Sequence, residues 1–180
     1  MNIAATHKIS AVLLDSGDTL VDEGTEIKDA DGVVQQAQLI AGAAEMVKAL
    51  KAQGYPLALV ADGPAGTFYN VLGHYDLLKE FDALAISGLV GVEKPDQRMF
   101  QEALNGLHLS PSQYRNVVMV GNNLERDIKG ANTLGLISVW INGSPRRSKI
   151  PADRTEQPRF TIRQPLDLLD LLATLEKNLS

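Results

Sequence analysis

Residues 9–20 read Ile9-Ser10-Ala11-Val12-Leu13-Leu14-Asp15-Ser16-Gly17-Asp18-Thr19-Leu20. The apolar run from Ile9 to Leu14 has the length and near-continuity of a strand buried on both faces. It stops at a carboxylate, followed by a Ser-Gly-Asp turn. A strand covered on both faces belongs to a parallel α/β sheet, where ligands bind at the carboxyl ends of the strands. Asp15 therefore stands where such a fold puts its chemistry, although a turn-capping aspartate would look the same in isolation.

The same rhythm extends along the chain. Leu57 to Ala61, Asp82 to Ile86, Val117 to Val120 and Ile137 to Ile141 are further short apolar runs. Amphipathic stretches separate them. Ala43, Met46, Val47 and Leu50 fall at i, i+3, i+4 and i+7, with Gly54 as a stop. Met99, Phe100, Ala103, Leu104 and Leu107 mark a second helix; Leu124, Ile128, Ala131 and Leu134 mark a third, ending near Gly135. Ser110-Pro111-Ser112-Gln113 has the form of a capping box. Pro165 to Lys177 is leucine-rich on one face and reads as a terminal helix. Strands alternating with helices imply right-handed crossovers and a Rossmann-like, three-layer α/β/α arrangement around a mainly parallel sheet. Ala30-Asp31-Gly32 lies between the extended-looking runs Glu26–Lys28 and Val33–Gln35, which favours a hairpin.

Composition narrows the chemistry. The 180 residues suit one domain, 1–180, and 44% apolar with 22% charged residues is ordinary for a globular chain. No apolar run is long enough to cross a membrane, and the opening MNIAATHKIS lacks the apolar core of a secretory signal. Zero cysteines exclude disulfides and thiolate chemistry and suit a cytoplasmic setting. The three histidines, His7, His74 and His108, are scattered. The chemistry falls to carboxylates, lysine, hydroxyls and backbone. A net charge of −5 argues against nucleic-acid binding. One segment departs from this balance: residues 142–163 carry six bases against two acids. An EF-hand reading of residues 15–26 fails, because Leu20 takes the sharp-turn glycine position and Gly17 replaces a ligand.

Three more strand ends carry polar groups. They are Val60-Ala61-Asp62-Gly63, Gly91-Val92-Glu93-Lys94-Pro95-Asp96 and Val120-Gly121-Asn122-Asn123-Leu124-Glu125-Arg126-Asp127. With Asp15, their order and spacing closely resemble the haloacid dehalogenase-like (HAD) hydrolase superfamily, in its phosphatase branch, from about Ile9 to Leu175. The resemblance implies that Asp15 attacks phosphorus to form an aspartyl-phosphate and that Lys94 neutralises developing charge. It also implies a Mg2+ site formed by Asp15, the Gly17 carbonyl, Asn122 and Asp127, and phosphate contacts from backbone around Gly17 and Gly63.

Three positions depart from the family pattern. Gly17 stands where an aspartate normally serves as general acid and base, Ala61 where a serine or threonine binds the phosphoryl group, and Asn122 where an aspartate helps hold metal. Asp18 is a neighbouring candidate for the acid/base role, with a turn-stabilising aspartate as the alternative. Asp62 is a candidate for binding a substrate hydroxyl or, in preference, for capping the helix after Gly63. Slow, Mg2+-assisted phosphate-ester hydrolysis is the expected activity. The alternatives are an inactive phosphate-binding or protein-interaction module and, behind it, metal-independent dehalogenase-like chemistry.

Only about twenty residues separate Asp22 from the helix near Gly42, so no full cap fits and residues 22–41 are expected to form a short flap. An open site suits a phosphorylated substrate that is bulky or macromolecular, or a second copy covering it. The basic segment follows the fifth strand; Arg146, Arg147 and Lys149 are candidates for attracting an anion, although a solvated loop is the favoured reading.

Overall fold

Alternate residues of β1 (Ala11–Leu14) enter opposite cores: Val12 and Leu14 pack on one face of the sheet, Ala11 and Leu13 on the other. The same division holds for β4 (Leu57–Ala61) and β6 (Val117–Gly121), whose side chains up to Val120 alternate between the two layers. This is what continuous apolar runs dictate: with a period of two and no polar partner residue, both faces must be covered. The computed structural model describes residues 7–179; residues 1–6, and with them most of the opening segment read as lacking a secretory signal, lie outside the described residues.

Six strands form the sheet in the order β5-β4-β1-β6-β7-β8, every neighbouring pair parallel. The remaining strands are β5 (Ala83–Ile86), β7 (Ile137–Ile141) and β8 (Phe160–Ile162). One face is covered by α1 (Ala43–Ala52), α2 (Ala65–His74) and α6 (Asp167–Asn178), which contribute Met46, Leu50, Phe68, Leu72, Leu168 and Leu172. The other is covered chiefly by α4 (Gln97–Gly106), through Met99, Phe100, Ala103 and Leu104, and by α5 (Lys129–Thr133). A single turn, α3 (Ser87–Val90), follows β5. A Cβ at Gly130 would stand 2.2 Å from the Phe100 ring, so glycine there is what lets α5 lie close against α4. Because β4 and β6 flank β1 on opposite sides, the crossovers diverge above β1, and that divergence opens a crevice at the carboxyl edge.

The hairpin is present as β2 (Ile27–Lys28) and β3 (Val34–Gln36), separate from the main sheet. It rests on α2, where the Thr67 hydroxyl and Asn70 amide bond to Val34 backbone.

Several sequence expectations need revision. The basic segment is not an unstructured loop throughout, because residues 160–162 form β8 and extend the sheet from β7. Three residues with a single buried side chain, Ile162, offer too little pattern to announce a strand. The helix expected over residues 124–134 begins as a wide π turn at Leu124–Ile128 before α5. Its apolar residues divide accordingly: Leu124 and Ile128 meet Trp140, whereas Ala131 joins the layer of α4. Gln113 does bond back to the Ser110 N–H, but the segment it caps is a 3-10 helix, Pro111–Asn116. Among the described residues no helix is long and apolar enough to cross a membrane.

Candidate active site

β1 delivers Asp15 to the carboxyl edge, where its N–H is fixed by the Val120 carbonyl of β6 (3.0 Å). Asp15 is 7% exposed, and its carboxylate takes Lys94 Nζ on Oδ1 at 2.6 Å and the Thr19 hydroxyl on Oδ2 at 3.1 Å. Lys94 uses its other two donors on Asp127 Oδ1 (2.7 Å) and the Val60 carbonyl (2.8 Å). The ammonium is thus the hub of a buried triad. Burial alone works against its charge, but Asp127, Asp15 and Asp62 outweigh it and hold the Lys94 pKa above its ordinary value. Asp127 faces the opposite imbalance. Burial first, then the charge of Asp15, pushes its carboxyl up to about 7 despite Lys94. Two buried carboxylates share one cation.

Asp127 reaches this place because Gly121, the last residue of β6, leaves room: a Cβ there would stand 2.2 Å from Asp127 Oδ2. The same oxygen accepts the Asn123 N–H (2.9 Å). Asn122 is buried between them; its carbonyl accepts the Trp140 indole N–H, while its side-chain Nδ2 has no partner. Asp62 laces the edge together, accepting the Lys94 N–H (3.0 Å) and Arg126 (2.9 Å).

Asp15, Gly17, Ala61, Asp62, Lys94, Asn122 and Asp127 line one cleft of about 380 Å³. Asp18 and Gly63 are not brought to it. Asp18 adopts φ 53° and is gripped from behind by Arg146, at 2.5 and 2.8 Å, and by the Ser144 hydroxyl at 2.7 Å. Burial would raise its pKa, but the hydrogen bonds from Arg146, Ser144 and the Glu23 N–H win and lower it. Asp18 is therefore a loop anchor that does not line the cleft. The Gly63 N–H is spent on the Ser87 hydroxyl (2.8 Å), so it is not a free phosphate donor. Nor does Asp62 cap α2, whose first position follows Pro64; its oxygens are occupied by Lys94 and Arg126.

Sequence reasoning did not single out Glu23, Arg126 or Trp140. Glu23 stands over Gly17, lines the cleft and pairs with Arg147 (2.8 and 3.0 Å). Burial, then the charges of Asp18, Asp15 and Glu26, raises its carboxyl against the pull of Arg147. No periodicity or motif offset marks this residue; only the closing of the loop after β1 brings it back. The basic segment does reach the site, but unevenly: Arg146 is consumed by Asp18 and Asp22, and Arg147 alone lines the cleft.

No group of three or more Asp, Glu, His or Cys side chains forms a metal cage among the described residues. Magnesium does not require one, settling commonly for one or two carboxylates, waters and substrate phosphate. The donor set fits that modest demand. Asp15 and Asp127 carry an excess negative charge, and the amide of Asn122 has an unsatisfied end in the same cleft; which end carries oxygen is a matter of amide orientation.

The haloacid dehalogenase-like hydrolase family model matches residues 4–135. A glyceraldehyde 3-phosphate phosphatase of Methanopyrus kandleri is 33% identical over 129 residues, covering 72% of this chain and 54% of that one. A phosphoserine phosphatase of Thermus thermophilus is 34% identical over 110 residues, covering 61% and 41%. The chain thus spans about half the length of the curated relatives it matches. Among solved structures, the putative HAD-hydrolase YfnB of Bacillus subtilis, described as bound to magnesium, superposes with a TM-score of 0.64 at 27% identity, over 75% of this chain and 56% of that one.

Proposed function

Given that the chain belongs to the haloacid dehalogenase-like hydrolase family, we propose that it hydrolyses a small phosphate monoester through an aspartyl-phosphate on Asp15. The observation that carries this reading is the triad at the edge of β1: a buried carboxylate held at 2.6 Å by a lysine that also binds a second buried carboxylate. Asp15 is oriented by Lys94 and Thr19, with its backbone fixed to β6, which is the preorganisation that nucleophilic attack requires. In the first half-reaction an Asp15 oxygen bonds phosphorus and the ester P–O bond breaks, releasing the alcohol once its oxygen gains a proton. In the second, water attacks phosphorus, the P–O bond to Asp15 breaks, and the carboxylate returns as inorganic phosphate leaves. Lys94 stays charged throughout, because its three acceptors leave it no reason to release a proton.

Six carboxylates and three cations line the cleft, so a phosphate dianion meets a surplus of negative charge. Asp15, Asn122 and Asp127 are the residues that would hold Mg2+ there, and the bound ion would offset that surplus and polarise the phosphoryl oxygens. Size and lining favour a small phosphorylated metabolite, in keeping with the names of the relatives, over a macromolecular ester. Val21, Glu23 and Glu26 from residues 22–41 and their approach close one side of the cleft, so we read that segment as a minimal cap on a single domain, 1–180, needing no second copy. A cysteine-free chain acting on such metabolites suits the cytoplasm.

The reading of a non-turning binding module has one specific observation behind it: neither Gly17 nor Ala61 offers a polar side chain. A panel of phosphate monoesters, assayed with and without Mg2+, separates the two. Turnover abolished by Asp15→Asn is the expected result. Activity persisting in Asp15→Asn rejects the nucleophile assignment, and tight metal-fluoride binding without turnover establishes the binding module.

A further inference from the structure

The side chain that Gly17 lacks has a definite address, and that address is already taken. An ideal Cβ on Gly17 would lie 2.2 Å from Glu23 Oε1, 2.9 Å from Glu23 Cδ and 3.1 Å from Cγ. The carboxylate of Glu23 therefore occupies the space an acidic side chain at position 17 would enter. We propose that Glu23 is the proton-transfer residue of this site, serving from position 23 the role for which position 17 has no side chain. This rests on the phosphohydrolase reading above and adds to it the identity of the group that handles the proton.

The placement is built rather than accidental. After β1 the chain folds back at Ser16, whose carbonyl accepts the N–H groups of Thr19, Leu20 and Val21 at 2.7–3.2 Å. The Glu23 N–H is then tied to Asp18 Oδ1 (3.1 Å), and Asp22 accepts the Gly24 N–H (2.9 Å). Asp18, the other acid within reach in sequence, is consumed in holding this loop. Arg147 clasps both Glu23 oxygens and lines the cleft, so the side chain is aimed as well as anchored. Arg147 Nε is buried and has no partner among the described residues, while its terminal nitrogen is committed to Glu23.

The proton balance closes with this residue. While the Asp15–phosphorus bond forms and the ester P–O bond breaks, the carboxylic acid of Glu23 gives its proton to the leaving oxygen. The resulting carboxylate then takes a proton from the attacking water as the phosphorus–Asp15 bond breaks, and is an acid again. Ester and water become alcohol and phosphate, with both side chains restored.

The test uses leaving-group chemistry and a positional rescue. Wild type, Asp15→Asn, Glu23→Gln, Glu23→Ala, Gly17→Asp and the Gly17→Asp/Glu23→Ala pair are assayed on glycerol 3-phosphate, whose alkoxide needs a proton, and on 4-nitrophenyl phosphate, whose phenolate does not. Glu23→Gln is expected to lower kcat on the alkyl ester by about 10²–10⁴-fold. On the aryl ester it should give a burst of nitrophenol followed by slow turnover, because only the water step still needs the base. Gly17→Asp alone should not raise the rate, since its side chain collides with Glu23; the paired variant should regain activity lost in Glu23→Ala. A folded Glu23→Gln enzyme with wild-type kcat on the alkyl ester overturns the proposal. So does equal loss on both esters without a burst and without rescue by the pair, the pattern of a merely structural residue. If wild type turns over neither ester nor any panel compound, or Asp15→Asn stays active, the underlying reading falls and this one with it. If Asp15→Asn is dead and Glu23→Gln is unaffected, only the Glu23 assignment falls.

Discussion

Replacing Lys94 by methionine keeps the side-chain length and removes the one cation that, among the described residues, touches both buried carboxylates. Lys94 is 4% exposed and its ammonium donates at 2.6, 2.7 and 2.8 Å, so water cannot take over its three contacts without opening the edge of the sheet. Breaking a buried ion pair by removing one partner costs about 3–5 kcal/mol, since the charge left behind is uncompensated. For a chain of this size that corresponds to a fall in Tm of roughly 10 °C. The loss must depend on pH, and its direction follows from Asp127. Its folded pKa of about 7 lies above the ordinary 3.8, so its contribution is fully present below about pH 4 and is lost as pH rises through 7. Without Lys94 that carboxyl is pushed further the same way. Lys94→Met should therefore lose less at pH 4.5, where Asp127 is protonated, than at pH 8. Urea unfolding followed by circular dichroism at both pH values measures this, and a Lys94→Met/Asp127→Asn double variant should recover much of the loss at pH 8. A single variant equally stable at pH 8, or a deficit unchanged between the two pH values, would refute the shared-cation account.

Gly121→Ala should cost about 1–3 kcal/mol in urea unfolding and lower kcat, because the new methyl would stand 2.2 Å from Asp127 Oδ2 and must displace it. Mg2+ at a hundred times its Kd should stabilise wild type by about 2.7 kcal/mol at pH 8; Asp127→Asn should reduce that gain, and an undiminished thermal shift would place the ion elsewhere. Arg146→Ala should destabilise the fold by leaving Asp18 with fewer donors. The Asp18 pKa is lowered, so its contribution in wild type is present above its ordinary value and lost as pH falls below about 4; the variant's deficit, read by thermal unfolding, should shrink there.

The sheet was legible because its evidence is redundant. β1, β4 and β6 are unbroken apolar runs followed by polar residues, β7 is interrupted only by the buried Ser138, and a run buried on both faces has few other destinations. β8 lacked that redundancy: with Phe160 half-buried and Thr161 exposed, its pairing to β7 is decided by what lies beside it. At the site, Asp15 could be read from the strand end it closes, whereas Lys94 and Asp127 came with the resemblance of their motifs, in order and spacing, to the hydrolase family. Glu23 could not, since its approach to Gly17 depends on a loop whose path is set by the Ser16 carbonyl and by distant arginines. Asp18 lies one residue from Gly17 along the chain, yet with φ 53° its carboxylate is held by Arg146 and Ser144, which matches the turn-stabilising alternative.

The grip of Arg146 and Arg147 on the loop after β1 also bears on the order in which the protein assembles. These contacts join residues 124–128 positions apart, closing some of the longest circuits in the molecule. Such circuits are the last to repay the entropy of their closure. β1 pairs with β4 and β6 without them, but the arginines arrive only once β7 has added to the sheet. During synthesis Asp15 emerges more than a hundred residues ahead of the arginines that fasten the loop beside it. A nascent chain halted before Ser144 would hold a nearly finished sheet with an unfastened cleft, so the candidate site is completed later than the sheet.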